Sequence, residues 1–214
     1  MRCTKAVIAG VVLAGAVTLS LLTGEAMAIE EPSYTVIEQA EDFELRQYAP
    51  YIVAETLVEG DFAEVGNEGF RRLAGYIFGK NRKEESIDMT APVNQEASSE
   101  KIAMTAPVNQ QVQDEKWRIT FTMPAEYTLE TLPTPVDDRI TLKREPGRLI
   151  AAIRYSGTWS KDRYEEKQHR LRSLLEERGL KAVGEPVFAR YNSPFSLWFL
   201  RRNEVLIPVE RSRN

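Results

Sequence analysis

A near-duplicate of nine residues constrains this chain more than any other feature. The segment 87–95 returns fifteen residues later as 102–110, and eight of its nine positions are identical. Each copy contains Met-Thr-Ala-Pro-Val, in which the proline fixes φ, removes a backbone donor and keeps the preceding alanine out of the helical region. The duplicate therefore predicts two short extended segments, joined by a polar loop over 96–100, rather than a helix.

The methionines of the duplicate allow two interpretations. In the first, Met89 and Met104 pack in the core beneath two adjacent strands. In the second, at least one of them lines a ligand groove, where a flexible and polarisable thioether suits a flat apolar partner. The sequence alone leaves both interpretations open.

The N-terminus has the pattern of a targeting segment. Two basic residues, Arg2 and Lys5, precede an uncharged and mostly apolar run over 6–22, and Ala-Met-Ala at 26–28 is a small-x-small cleavage pattern. We predict a signal peptide over residues 1–28, cleaved near Ala28, and a periplasmic or secreted mature protein. An uncleaved membrane anchor is the alternative.

Charge and cysteine content argue against several functional classes. The chain has 28 Lys and Arg against 32 Asp and Glu, a formal net charge of −4. Losing residues 1–28 removes two basic side chains and one acidic side chain, which changes the net charge to −5. Nucleic acid is therefore not an expected partner, because neutralising phosphates needs clustered cations. The only cysteine, Cys3, would be lost with the signal peptide, so no disulfide is expected in the mature protein. Stable membrane association is not expected after cleavage either, because the apolar run over 6–22 would be removed as well.

Two helices are predicted, and each ends at a glycine. The first begins after Asp61, a candidate N-cap, and stops at Gly79; the second runs from about Ser160 to Arg178. Glycines are unusual inside the first helix, since each costs about 1 kcal/mol relative to alanine. Two of these glycines, at 66 and 69, share one face. That face either packs closely on a sheet or leaves room for a bulky ligand.

A longer repeat indicates two similar halves within one domain over 29–214. At an offset of 97 the matched segments are 43–46 with 140–143, 52–54 with 149–151, and 58–62 with 155–159. Each half is predicted to contain two strands, a helix and two further strands, over about 34–123 and about 140–209. Two such halves are expected to bury their apolar faces against each other.

The side chains give little support for catalysis. His169 is the only histidine, and it falls on the polar stripe of the second helix, which predicts a solvated surface group. It would be an iron ligand only if that stripe faced a ligand or a second chain. The sequence has neither a Gly-x-Ser-x-Gly elbow nor a glycine-rich nucleotide motif. We therefore predict a binding protein rather than an enzyme.

The sequence resembles the SOUL or haem-binding protein family along nearly all of the mature chain. The segments that carry this resemblance, in family order, are 34–48, 75–81, both Met-Thr-Ala-Pro-Val copies, 123–133, 191–194 and 201–205. The resemblance implies an α+β fold: a distorted eight-stranded antiparallel β-barrel with pseudo-twofold symmetry, flanked by two α-helices. The same barrel is expected in the GyrI-like effector-binding domains.

The resemblance also implies a function. A protein of this kind binds haem or a related tetrapyrrole reversibly, as b-type haem with no other metal, in an apolar groove beside the first helix. The candidate ligand-binding residues, taken from the resemblance to the family, from the duplicate and from a neighbouring cation, are Asn67, Phe70, Arg71, Ala74, Met89 and Met104. The alternative is an effector-type module on the same fold, which would bind a different small amphiphile or a protein.

The family's functional side chains are largely replaced in this sequence. The position that is an axial histidine in one branch is Gln47 here. The cations that another branch offers to the haem propionates align with Asn67, Gly75 and Leu197. Among the cations near those positions, Arg71, Arg72 and Lys80 are the candidates to replace them.

Overall fold

The computed structural model describes residues 29–83, 99–193 and 195–211. The predicted signal peptide and the first copy of the duplicate lie outside these described residues. In chain order the elements are β1 Tyr34–Ala40, β2 Phe43–Tyr48, β3 Tyr51–Val58, α1 Phe62–Ile77, β4 Asn81–Arg82, β5 Val108–Gln113, β6 Lys116–Thr122, β7 Thr134–Pro135, β8 Ile140–Glu145, β9 Leu149–Tyr155, α2 Lys161–Glu177, β10 Leu180–Ala182, β11 Val187–Arg190, a 3-10 turn at Trp198–Leu200, and β12 Asn203–Arg211.

Ten of these strands form one antiparallel sheet. Its order is β1-β2-β9-β12-β11-β5-β6-β3-β8, and β10 pairs with β12 beside this path. Exchanging β2 with β8, β3 with β9, β5 with β11 and β6 with β12 reproduces the order from β2 to β8, read in the opposite direction. The strand order is therefore the same when the two halves are interchanged. The expected α+β class, with two helices on a large antiparallel sheet, is confirmed.

The sheet is not closed into a barrel, so the expected barrel is wrong in this respect. Closure of the eight repeated strands would pair β2 with β8, which stand at the two ends of their order. Instead β1 pairs with the free edge of β2, with Tyr34 opposite Tyr48 and Ala40 opposite Phe43. Because β1 satisfies the hydrogen-bonding groups of that edge, the sheet remains open beyond it.

Helix α1 packs its apolar side on β3 and β6. Val65, Leu73 and Ile77 are buried there, in one cluster with Ile119 and Phe121 of β6. Burying apolar surface at about 25 cal/mol per Å² is the main force that holds the helix on the sheet. The other edge of the same helix is left beside a pocket, described below.

Helix α2 packs on the other half of the sheet. Leu171, Leu174 and Leu175 are buried, whereas His169 is exposed, as its position on the polar stripe predicted. The Ser160 hydroxyl accepts a hydrogen bond from the backbone N–H of Arg163 and so caps the helix. Asp61 is the N-cap residue of helix α1, as predicted, but its side chain makes no capping hydrogen bond.

Candidate functional site

A pocket of about 320 Å³ lies between the first half of α1 and the second copy of the duplicate. Its surface is mostly apolar, and its size is at the lower end of ligand pockets, which span about 300–1,000 Å³. The residues that line it are Ile29, Gly66, Asn67, Phe70, Met104, Thr105, Ala106, Val108, Trp159, Arg190, Tyr191, Asn192, Ser193 and Phe195. Both halves of the chain contribute to it.

The second copy of the duplicate forms one wall of this pocket. Ile102 and Ala106 are buried, and the Thr105 hydroxyl donates a hydrogen bond to the carbonyl oxygen of Thr122, which fixes the segment against β6. Met104 points the other way: it is 40% exposed and lines the pocket. Of the two interpretations of the methionines, Met104 fits the groove and not the core. Met89 lies outside the described residues.

The two glycines that share a face of α1 have different neighbours. A Cβ at Gly69 would lie 2.7 Å from Cβ of Ile119, so this glycine allows the helix to approach β6 closely. A Cβ at Gly66 would instead lie 2.9 Å from Oε1 of Gln110 and 3.0 Å from Nη2 of Arg190. Close packing on the sheet therefore accounts for Gly69, whereas Gly66 makes room for the side chains of Gln110 and Arg190 and also lines the pocket.

Arg190, the last residue of β11, brings a cation to the pocket wall. Its Nε and Nη2 atoms are buried and have no hydrogen-bond partner among the described residues. Its guanidinium carbon lies 5.1 Å from the ring centroid of Trp159, a distance typical of a cation–π contact. Burial lowers the pKa of Arg190 to about 10, so the side chain remains charged at neutral pH.

Of the predicted site residues, Asn67, Phe70 and Met104 line the pocket together. Ala74 does not reach it, because this residue is buried in the core beneath α1. Arg71 is exposed; its Nε donates to the backbone oxygen of Asn67 at 3.4 Å, and its side chain borders a separate depression beside Glu68 and Arg139.

Sequence reasoning missed the contribution of the second half of the chain to this pocket. Trp159, Arg190 and Tyr191 were not predicted as site residues, nor was Phe195, which is 94% exposed at the pocket rim. A signal was available, because the family segment 191–194 directly follows Arg190. It indicated a match to the family, but nothing in it showed that these side chains face α1.

The pocket offers few donors to an iron atom. No histidine lines it, and Gln47, which takes the place of the axial histidine of one branch, is exposed on β2 and does not line the pocket. The Tyr191 hydroxyl is engaged, because it donates to Glu204 at 2.8 Å. The Met104 thioether is the soft donor among the described lining residues. The described residues contain no group of three or more His, Cys, Asp or Glu side chains that would hold a metal ion.

A buried ion network lies next to this pocket. Glu204, fully buried, accepts hydrogen bonds from Arg46 at 2.6 and 3.0 Å, from Arg202 at 3.0 Å and from the Tyr191 hydroxyl. Burial alone would raise the pKa of the Glu204 carboxyl, but the hydrogen bonds and charges of the two arginines hold the pKa below its usual value. Tyr191 belongs to both regions, since it also lines the pocket.

None of the helices in the described part of the chain combines the length and the apolar character needed to cross a bilayer.

The chain is similar to known haem-binding proteins. The family described as SOUL heme-binding protein matches residues 29–208. Heme-binding protein 2 of Mus musculus is 29% identical over 194 residues, which covers 84% of this chain and 90% of that protein. Heme-binding protein 2 of Homo sapiens is 29% identical over 193 residues, with coverage of 84% and 89%.

The fold is also similar to solved structures of proteins that are not named as haem-binding proteins. The C-terminal domain of EcmrR has a TM-score of 0.56 at 12% identity, covering 84% of this chain and 99% of that one. A hydrolase from Listeria innocua has a TM-score of 0.52 at 12% identity, covering 79% and 92%. At such identities the likeness shows a shared fold alone, so the hydrolase name carries no activity over to this chain.

Proposed function

This chain belongs to the SOUL heme-binding protein family, and from that premise we propose that it binds haem or a related tetrapyrrole, without catalysing a reaction, in the pocket beside α1. The single observation that carries this placement is the mostly apolar pocket between α1 and the Met-Thr-Ala-Pro-Val segment. It lies beside the glycine-containing face of the helix, with Phe70 and Met104 exposed to a flat ligand.

Apolar contact supplies most of the binding free energy in this proposal. At about 25 cal/mol per Å², a few hundred Å² of buried apolar surface gives several kcal/mol before the cost of association. A pocket of about 320 Å³ takes one part of a tetrapyrrole and leaves the rest at the rim, near Ile29 and Phe195. Such binding is reversible.

The iron of a bound haem would find a thioether rather than an imidazole. The residues present fit a macrocycle held by its faces and edge, and among the described lining residues Met104 is the one soft donor. The bound group would supply its own absorbance and its own redox chemistry. The protein would contribute an apolar contact surface and exclusion of water from one face.

Titrating the purified protein with hemin and reading the Soret band tests this proposal. We expect a saturable change at micromolar hemin. Asn67→Trp should fill the pocket from the surface of α1 and weaken binding about tenfold or more, because the new indole takes the space of the ligand. Arg71→Trp is the matched control, since its exposed side chain borders a different depression and binding should be unchanged. Equal effects of the two variants would place the ligand elsewhere.

The alternative is an effector-type module that binds another amphiphile in the same pocket. The observation that favours it is the lack of a histidine among the lining residues, which removes the most common axial ligand of a haem protein. A thermal-shift comparison of hemin, an iron-free porphyrin and unrelated aromatic amphiphiles separates the two functions. Stabilisation by the amphiphiles and not by either porphyrin would support the alternative.

Export of the protein is proposed from the sequence. Residues 1–28 have the basic start, apolar run and cleavage pattern of a signal peptide, which would place the mature chain in the periplasm or the medium. Mass spectrometry of the protein from the producing cell tests this, with a mature chain that starts at Ile29 as the expected result. An intact N-terminus on a membrane-bound protein would support the anchor instead.

A further inference from the structure

The buried position of Arg190 indicates a chemical property of the ligand that the apolar wall of the pocket does not indicate. Its Nε and Nη2 atoms are buried without a hydrogen-bond partner, and no carboxylate of the described residues forms an ion pair with it; desolvation is the sole cause of its lowered pKa. A buried cation without a counter-ion is costly. Proteins keep such a group where something else supplies the missing charge.

The surroundings hold this guanidinium in place but leave its Nε and Nη2 atoms without a hydrogen-bond partner among the described residues. Trp159 lies 5.1 Å from its central carbon, and the same indole also contacts the guanidinium of Arg201, at 4.5 Å. An indole face holds a guanidinium in position but satisfies none of its N–H groups. Gly66 leaves the space, because a Cβ there would lie 3.0 and 3.2 Å from the two terminal nitrogens of Arg190.

The neighbouring polar groups do not neutralise the charge. Gln110 is buried and lies beside the same glycine, but its amide nitrogen donates to the backbone oxygen of Phe62 at 2.8 Å. The buried carboxylate of Glu204 is already shared by two other arginines and Tyr191. Arginine is suited to bind carboxylates, because its planar fork offers paired N–H donors.

We propose that Arg190 binds a carboxylate of the ligand, so that the pocket selects apolar molecules with an acidic group over their neutral counterparts. This inference rests on the proposed function, for which it names the chemical class: a flat or elongated apolar body with a carboxylate at the end that enters the pocket. For a haem or porphyrin, this carboxylate is a propionate. In this proposal Arg190, on β11 of the other half, takes the role for which Arg71, Arg72 and Lys80 were the candidates.

The test compares an acid with its ester on the unaltered protein. Hemin and hemin dimethyl ester, in the same cosolvent, differ in their carboxylates and share the macrocycle. We expect the wild-type protein to bind the diacid about tenfold more tightly or better, because charged hydrogen bonds in a buried site are strong. Equal affinity for acid and ester would overturn the inference and leave the proposed function standing.

Variants at Arg190 provide the second arm. Arg190→Gln should remove the preference for the acid, Arg190→Lys should restore part of it, and Arg71→Gln should keep it in full, as the charge-matched control on the surface. Thermal unfolding of each variant is measured alongside. A purely structural arginine would show the opposite result: lower stability in Arg190→Gln with the acid preference retained.

The two proposals fail separately. Absence of saturable hemin binding would end the proposed function. The acid preference is then read with a long-chain fatty acid against its methyl ester, by displacement of a fluorescent amphiphile. A preference for the fatty acid that depends on Arg190 would support the inference without haem, and equal or absent displacement by both would overturn it.

Discussion

Arg46 and Arg190 are both largely buried arginines in one sheet, yet a carboxylate neutralises only one of them. Arg46 is 2% exposed and binds Glu204 through two of its nitrogens, with a further bond to Glu44 at 2.7 Å. Arg190 stacks on Trp159 and has two buried nitrogens without a partner among the described residues. The two sites nearly touch, since Tyr191 takes part in both.

This difference separates a site that stabilises the fold, the Glu204 network, from the site proposed to bind the ligand, at Arg190. The Glu204 network joins β2 to β12 and is complete, so breaking it leaves charges buried without partners. At the Arg190 site, two buried nitrogens lack a partner within the described part of the protein. The free-energy cost of burying them is offset by stabilising contacts elsewhere in the fold. Sites that break the rules of polar satisfaction are where function is expected.

Breaking the complete site should have the largest effect on stability. In Glu204→Gln, Arg46 and Arg202 lose their shared buried carboxylate, and we expect the free energy of unfolding to fall by about 3–5 kcal/mol. Denaturant titration followed by circular dichroism measures this. Arg190→Gln is the control, and it should unfold at or above the wild-type midpoint because it removes an unpaired buried charge. A loss of similar size in both variants would contradict the distinction between the two sites.

Acid should weaken the complete site without a mutation. The folded pKa of Glu204 lies below its usual value of 4.5, so its contribution to stability is fully present above that value and is lost as pH falls through the folded pKa. The difference in unfolding free energy between wild type and Glu204→Gln should therefore shrink below about pH 4.5. A difference that stays constant from about pH 7 to about pH 3 would exclude an ionised Glu204.

Substitutions at Gly66 and Gly69 of α1 should distinguish an effect on the core from an effect on the pocket. Gly69→Ala should cost about 1–3 kcal/mol in unfolding free energy, because its Cβ overlaps the buried Ile119. Gly66→Ala should cost less, since the end of the Arg190 side chain can move, but it should weaken hemin binding by displacing that guanidinium. Unfolding and hemin titration on both variants give the two readings. The reverse pattern would place the ligand against Gly69.

The smallest effect is expected at Met104. Met104→Leu conserves volume at a half-exposed position, so stability should change by less than about 1 kcal/mol. If apolar contact dominates, hemin affinity should stay within about threefold, on the reasoning that methionine and leucine bury similar surface. A large loss of affinity with a shifted Soret maximum would show that the thioether binds iron.

Local patterns explain why the two helices and most strands were predictable. The apolar periodicity and the terminal glycines of α1 and α2 are properties of neighbouring residues, and the offset of 97 indicates the two halves by spacing alone. Asp61 shows the limit of such reasoning. It has the residue type of an N-cap, but its side chain makes no capping bond, because a local preference does not fix a side-chain rotamer.

By itself the sequence determined the fold class, the family, and a helix with two glycines on one face, since each depends on residues close together in the chain or on matched spacings. Tertiary structure alone decided the pocket. It buried Ala74, turned Arg71 to solvent, exposed Met104 and brought Arg190 from the other half to within reach of Gly66. It also left the sheet open, with β1 on the edge that a barrel would have closed. Strand pairing between distant segments sets which side chains meet, and no local pattern records that pairing.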